Sequence, residues 1–157
     1  MNKRVEVRKS DRSKRKLFVV DIENAVGAGM IDEESCKSVR NRIERTYHPG
    51  SNDLTVLGVS HKNNLFPAHA WDGARVVIRE GHDGADLALE DVLSNENVEG
   101  RFGEVVIVSG DGLFSGQAFR LRSLGVRVTV DARARQLARV LAFSCTCVRL
   151  APSALAA

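Results

Sequence analysis

Short apolar runs that alternate with helical segments are the feature that most restricts the fold of this chain. Five such runs occur, at residues 16–21, 54–59, 75–79, 104–109 and 126–130, and a short sixth strand is predicted at 147–150. A strand that is apolar at nearly every position is buried on both faces, as in parallel sheets covered by helices. We therefore predict an α/β fold: a doubly wound, mostly parallel sheet of five or six strands with helices on both faces.

Capping residues and turn formers place the helices between these strands. Asp32 is the predicted N-cap of a helix at 33–46, and Gly125 is predicted to end a helix at 114–124. Two more helices are predicted at 85–93 and 133–143. Residues 22–32 are expected to form a loop, and residues 61–73 a loop or a short helix.

Positive charge is concentrated at the N-terminus. Residues 1–16 carry eight Lys or Arg and two acids, a net charge of +6, whereas the whole chain carries only +3. We predict a basic flexible arm at 1–15, one domain at 16–150 and a disordered tail at 151–157. Such an arm is typical of a polyanion binder, because each neutralised phosphate releases counterions. A solvated tail that aids solubility is the alternative.

The chain contains no apolar run that is long enough for a signal peptide or a membrane span. Its three cysteines are an odd number in a chain that is large enough to fold without disulfides. We therefore predict a cytoplasmic protein without a membrane partner.

Three aspartates lie where parallel sheets bind their ligands. Asp21 ends the first strand, Asp111 follows the fourth, and Asp86 lies in the first turn of the helix after the third. If the first and fourth strands are neighbours, all three carboxylates face one crevice. Clustered carboxylates repel each other unless protons or a cation neutralise them, and hard oxygen ligands select Mg²⁺ or Mn²⁺. Such an ion promotes phosphodiester hydrolysis by activating water and neutralising phosphate charge.

Each aspartate alone also has a structural explanation, as a cap, a first-turn acid or a turn former. The functional reading therefore depends on their joint placement. Glu90, one helical turn from Asp86, and Glu23, close to Asp21, are candidates to complete the site, but we expect both to be solvated. Trp71 and Phe66 are expected to be core anchors rather than base-stacking platforms, and the histidines at 61, 69 and 82 surface loop residues.

Three segments carry a resemblance to a known family. They are Phe18-Val-Val-Asp-Ile-Glu-Asn24, Gly84-Ala-Asp-Leu-Ala-Leu89 and Val106-Ile-Val-Ser-Gly-Asp-Gly-Leu-Phe114. They resemble the D-x-x-N, G-x-D-x-x-L and S-G-D-x-D-F segments of NYN domains, a branch of the PIN-like nucleases. The resemblance spans residues 16–150. It implies a Mg²⁺- or Mn²⁺-dependent ribonuclease that acts on single-stranded or structured RNA, with metal ligands at Asp21, Asp86 and Asp111.

The resemblance also implies supporting roles around these ligands. Asn24 would orient Asp21 or the substrate, and the hydroxyl of Ser109 would support the site. The chain departs from the pattern at Leu113, which replaces the second Asp of S-G-D-x-D-F. The family's usual Lys is also not clearly present, and Arg79 and His82 are the nearby candidates to replace it.

The sequence therefore favours a metal-dependent endoribonuclease whose basic arm contacts RNA phosphates. The alternative is a catalytically weak or inactive RNA-binding or adaptor module on the same fold, which Leu113 favours. A flavodoxin-like or nucleotide-binding protein is a third reading, but the chain lacks a convincing phosphate-binding loop. A homodimer remains an open alternative to a monomer.

Overall fold

Six parallel strands form a single sheet in the computed structural model, which describes residues 14–152. The strands are β1 (Lys16–Asp21), β2 (Leu54–Val59), β3 (Arg75–Ile78), β4 (Glu104–Val108), β5 (Arg127–Arg133) and β6 (Cys147–Ala151). Their order across the sheet is β3-β2-β1-β4-β5-β6, and every neighbouring pair is parallel. The predicted doubly wound α/β fold is confirmed.

Seven α-helices connect and cover the strands within this part of the chain. They are α1 (Ile22–Val26), α2 (Glu33–Tyr47), α3 (Leu65–His69), α4 (Gly84–Asn95), α5 (Val98–Arg101), α6 (Ser115–Ser123) and α7 (Arg139–Ser144). None of the described helices is long and apolar enough to cross a membrane. Most of the predicted arm at 1–15, and the predicted tail beyond residue 152, lie outside the described residues.

The sheet separates two apolar cores because successive residues of a strand point to opposite faces. Phe18 and Val20 of β1 pack with Ile43 of α2 on one face. Leu17 and Val19 pack on the other face, in a cluster that includes residues of α4 and α6. The central strand is therefore apolar throughout, which explains why its sequence predicts a buried parallel strand.

The predicted N-cap at Asp32 is confirmed and belongs to a complete capping box. Its carboxylate accepts a hydrogen bond from the Ser35 backbone N–H at 2.8 Å, and the Ser35 hydroxyl accepts one from the Asp32 N–H at 3.2 Å. The helix ends at His48, whose φ of 49° places it in the left-handed region. The long helix between β1 and β2 is thus defined by local sequence at both ends.

Two predicted connections differ from the structure. Residues 22–26 form helix α1 instead of a loop, because the Asp21 carboxylate caps them and Gly27 ends them with a φ of 82°. The predicted helix at 133–143 is also wrong in extent: β5 continues to Arg133, a 3₁₀ turn follows, and α7 begins only at Arg139. β5 is longer because it pairs with β6 as far as Arg133, opposite Ala151.

The two aromatic residues that were predicted to anchor the core have different environments. Trp71 is buried, with 6% of its surface exposed, as predicted. Phe66 is 76% exposed, so its predicted role as a core anchor is wrong. It lies in the short helix α3, which turns its neighbours Pro67 and Ala68 inward.

Candidate metal centre

The strand order creates a crevice between β1 and β4. These strands pair directly, with Val20 opposite Val108, yet β1 leads to α2 on one face and β4 leads to α6 on the other. The chain therefore leaves the sheet in opposite directions at this point, which is where open α/β sheets bind ligands. Asp21 ends β1 and Asp111 follows β4, so both lie at the mouth of the crevice.

Asp86 lies between these two aspartates, and only 5% of its surface is exposed. Its carboxyl group is within hydrogen-bonding reach of those of Asp21 and Asp111. The structure therefore brings the three predicted aspartates together. Asp83 joins them: one oxygen each from Asp83, Asp86 and Asp111 lie within 4.8 Å of one another.

Backbone contacts hold the aspartates at the ends of the strands. Asp21 accepts a hydrogen bond from the Asn24 N–H at 3.2 Å, and Asp111 accepts one from the Leu113 N–H at 2.8 Å. The buried hydroxyl of Ser109 accepts one from the Asp111 N–H at 3.2 Å. Each strand end is thus closed by a short capped turn that fixes where its carboxylate points.

Two glycines allow the loops of the site to approach other backbone segments. A Cβ at Gly84 would collide with the carbonyl oxygen of Arg79, and a Cβ at Gly110 would collide with that of Gln136. The Gly110 carbonyl accepts a hydrogen bond from the Ala138 N–H at 2.8 Å. Packing of this kind fixes the loops that carry Asp86 and Asp111.

Among the described residues no Lys or Arg pairs with the four aspartates of the cluster, and the imidazole of His82 lies 3.1 Å from Asp83 at its exposed edge. Burial, followed by the nearby carboxyl groups of Asp21 and Asp111, raises the pKa of Asp86 to about 9. Burial is also the largest cause of a raised pKa at Asp21. Within residues 14–152, Oδ1 of Asp86 is buried and has no hydrogen-bond donor. Adjacent carboxylates of this kind need a shared proton or a cation between them.

These residues fit a divalent metal ion. The donors are all carboxylate oxygens, which suit Mg²⁺ and Mn²⁺ better than softer metals. The buried Oδ1 of Asp86 has no hydrogen-bond partner among the described residues, and a bound cation would fill that role. Together, the carboxylates of Asp83, Asp86 and Asp111 could hold the ion. Asp21 contacts this group through the carboxyl group of Asp86.

Of the other predicted site residues, Asn24 lies at the acidic cleft, whereas Glu90 and Arg79 are not part of the cluster. Asn24 lines the cleft, which has a volume of about 330 Å³. The carboxylate of Glu90 accepts a hydrogen bond from Gln117 of α6 at 3.2 Å and one from Ser94 of its own helix α4 at 3.1 Å. Arg79 has an exposed side chain without a hydrogen bond or ion pair in the described part of the chain. The structure therefore does not bring Glu90 or Arg79 into the acidic cluster.

Sequence reasoning missed Asp83. It precedes α4 with a φ of 59°, in the left-handed region that few residues other than glycine adopt, and this conformation places it next to Asp86. The available signal was the Asp-Gly pair at 83–84, which is typical of a tight turn.

The expectation that Glu23 and Glu90 are solvated is wrong. Glu23 is half-buried and accepts hydrogen bonds from the Ser60 N–H at 2.8 Å, the Ser60 hydroxyl at 2.7 Å and the Asn64 amide at 2.7 Å. It joins the start of α1 to the end of β2. Glu90 accepts the hydrogen bond from Gln117 of α6 described above. Both acids pack between elements that are distant in sequence, which local spacing does not reveal.

Comparisons with known proteins support the fold and leave the activity open. No family model and no curated protein matches the chain. A crystal structure of a protein of unknown function from Vibrio parahaemolyticus is similar, with a TM-score of 0.60 and 15% sequence identity. The similarity covers 92% of this chain and 97% of the other. At this identity the likeness shows the fold alone.

Proposed function

We propose that this protein is an endoribonuclease that uses Mg²⁺ or Mn²⁺ to hydrolyse RNA phosphodiester bonds. The observation that carries the proposal is the buried, donor-free oxygen of Asp86 among other aspartates, at the switch in strand order. Natural proteins rarely leave such a group uncompensated unless it binds something. RNA as the substrate comes from the resemblance to NYN domains.

The aspartates of the cluster have different roles in the proposed reaction. Asp83, Asp86 and Asp111 would hold the ion, which would supply neutralising charge for the phosphate and activation of the attacking water. Asp21 is fixed by the Asn24 N–H and faces Asp86, so it orients that carboxyl group. Asp111 commits Oδ1 to the Leu113 N–H, which leaves its second oxygen for the ion.

The surroundings of the cluster suit a polymer substrate. The cleft is lined by the exposed loop at 27–29, whose Gly-Ala-Gly sequence lets a ligand approach the backbone closely. Asn24 also lines this cleft. An open cleft with polar walls lets a strand enter and leave, whereas an enclosed pocket would favour a small molecule.

An RNA-binding module without turnover is the second candidate. It is favoured by Leu113, which stands where the resembling family has a second aspartate and which is half-buried beside Asp111. The loss of one carboxylate lowers the affinity for a divalent ion. The acids at 21, 83, 86 and 111 favour the enzyme.

Cleavage of labelled RNA separates the two candidates. We expect the wild type to cleave with Mn²⁺ or Mg²⁺ and to stop in EDTA. We also expect Asp111→Asn to be slower by about 100-fold or more, because even groups that only support metal ligands contribute 10–100-fold. Asp91→Asn is the matched control, because Asp91 is exposed on α4 and lies outside the cluster.

Two outcomes would reject the nuclease proposal. Cleavage that persists in EDTA, or full activity of Asp111→Asn, would show that the acidic cluster does not perform the reaction. If the wild type binds RNA but never cleaves it with either metal, the binding module becomes the better description.

A further inference from the structure

A second cavity, of about 490 Å³, lies beside the acidic cleft. It is bounded by α2 and by the carboxyl end of β5. Asn24 and Gln136 line both cavities, so the two adjoin at these residues.

The second cavity is basic. Three arginines line it, Arg42, Arg45 and Arg133, together with Asp131 as the one acidic lining residue. Asp131 is buried and already bound, by Arg42 at 2.8 Å and by the Tyr47 hydroxyl at 2.6 Å. Two arginine charges therefore remain without a carboxylate in the cavity. We call this set of three arginines the arginine pocket.

Arg133 is held in place by neutral groups. Its guanidinium donates hydrogen bonds to the backbone carbonyls of Ala25 at 2.8 Å and Val26 at 3.1 Å, at the end of α1. Gly27 packs against the same guanidinium so closely that a side chain there would collide with it. The charge is thus fixed in position but not neutralised, which favours binding of an anion.

Arg45 supplies a second free charge from α2. Its Nε donates a hydrogen bond at 3.3 Å to the Asn41 carbonyl of its own helix, and its side chain is exposed. Ser35 and Ser38 line the cavity from the same helix and add hydroxyl groups. Guanidinium groups combined with hydroxyls match the oxygen atoms of a phosphate.

Helix α1 sets the spacing between the two cavities. Asp21 caps its first turn and Arg133 binds its last carbonyls. Five helical residues extend about 7.5 Å along the helix axis. The length of α1 is thus comparable with the separation of neighbouring phosphates along an extended nucleic-acid strand.

We propose that the arginine pocket binds a backbone phosphate of the RNA strand, next to the phosphate that lies at the acidic cluster. The proposal takes RNA as the ligand from the proposed function. It does not require turnover, because the pocket and the metal ligands are different residues. The pocket sets the direction in which the strand crosses the cluster.

Binding of short single-stranded RNA in EDTA tests this proposal. The RNA carries hydroxyl groups at both ends, so only phosphodiesters contribute to the binding. Arg45→Gln is the test variant, because arginine and glutamine are both good helix formers and position 45 is exposed. Lys37→Gln is the matched control, because it removes the same charge from an exposed position of α2 outside the pocket.

We expect Arg45→Gln to weaken binding by about 3- to 10-fold and to lower the slope of log affinity against log salt by about 0.7. Lys37→Gln should change neither quantity appreciably, and Arg45→Lys should restore the slope. Equal effects of Arg45→Gln and Lys37→Gln, or no effect of Arg45→Gln, would overturn the proposal.

The outcome is independent of whether the protein cleaves RNA. If the wild type has no nuclease activity but Arg45→Gln alone loses affinity, the arginine pocket stands and the proposed function fails. If the wild type cleaves RNA and the two variants bind it equally well, the proposed function stands and the pocket fails.

Discussion

Replacing Asp86 with Asn should stabilise the metal-free protein at neutral pH. Asp86 is buried between Asp21 and Asp111, and these surroundings oppose its ionised form. Asparagine has nearly the same size but carries no charge, and its amide can donate a hydrogen bond to a neighbouring carboxylate. The substitution therefore removes the electrostatic cost and keeps the packing.

The size of the effect follows from the raised pKa of Asp86, about 9 against an ordinary value of 3.8. Between these values the folded protein retains a proton that the unfolded chain has released. The free energy of unfolding therefore falls as the pH rises through this range, by up to about 1.4 kcal/mol per pH unit. From pH 5 to pH 7 the upper limit is about 2.7 kcal/mol. Sharing of the proton with Asp21 and local relaxation lower our expectation to about 1–2 kcal/mol.

Urea unfolding at pH 5 and pH 7 in EDTA measures this difference. The stability gained by Asp86→Asn over the wild type should be larger at pH 7, by about 1–2 kcal/mol. Asp91→Asn, on an exposed position of the same helix, should show no such pH dependence. An equal gain at both pH values, or a variant less stable than the wild type at pH 7, would refute the reasoning.

Three further predictions concern other parts of the molecule. Binding of Mn²⁺ should release about one proton at neutral pH, because Asp86 must lose its proton to bind the ion. The heat of binding should then differ between buffers of different ionisation enthalpy, and a heat that is the same in all buffers would contradict this prediction. Asp131→Ala should cost about 3 kcal/mol in urea unfolding, since it leaves Arg42 unpaired, whereas Arg40→Ala on the surface should cost at most about 1 kcal/mol; similar losses would contradict this. Gly84→Ala should lower the melting temperature and Gly116→Ala, in open space on α6, should raise it slightly; the reverse order would be inconsistent with the contacts at Gly84.

The sequence predicts the positions of the strands and the proximity of the three aspartates, because both follow from simple rules. A central parallel strand is apolar on both faces, so β1 and β4 are visible as continuous runs. Residues at the carboxyl ends of neighbouring parallel strands must meet, which places Asp21 near Asp111 once the strand order is correct.

The features that the sequence does not predict depend on contacts between distant residues. Glu23 is ordered by Ser60 and Asn64, and Glu90 by Gln117, and no local pattern indicates these partners. The predicted end of β5 at residue 130 is wrong for the same reason, since the strand extends to Arg133. The last residues of β5, from Asp131 to Arg133, are compatible with a helix, but they are extended because they pair with β6 and because Asp131 forms an ion pair with Arg42.

The strand order also has a consequence for how the protein folds. Asp21 and Asp111 come from adjacent strands, but they are 90 residues apart along the chain. The pairing of β1 with β4 closes a long loop, which is entropically costly and is slow compared with local contacts. The acidic cluster is therefore completed only when this pairing forms. A growing chain that has not yet reached β4 holds Asp21 and Asp86 without Asp111, and it completes the acidic cluster only with the second half of the sheet.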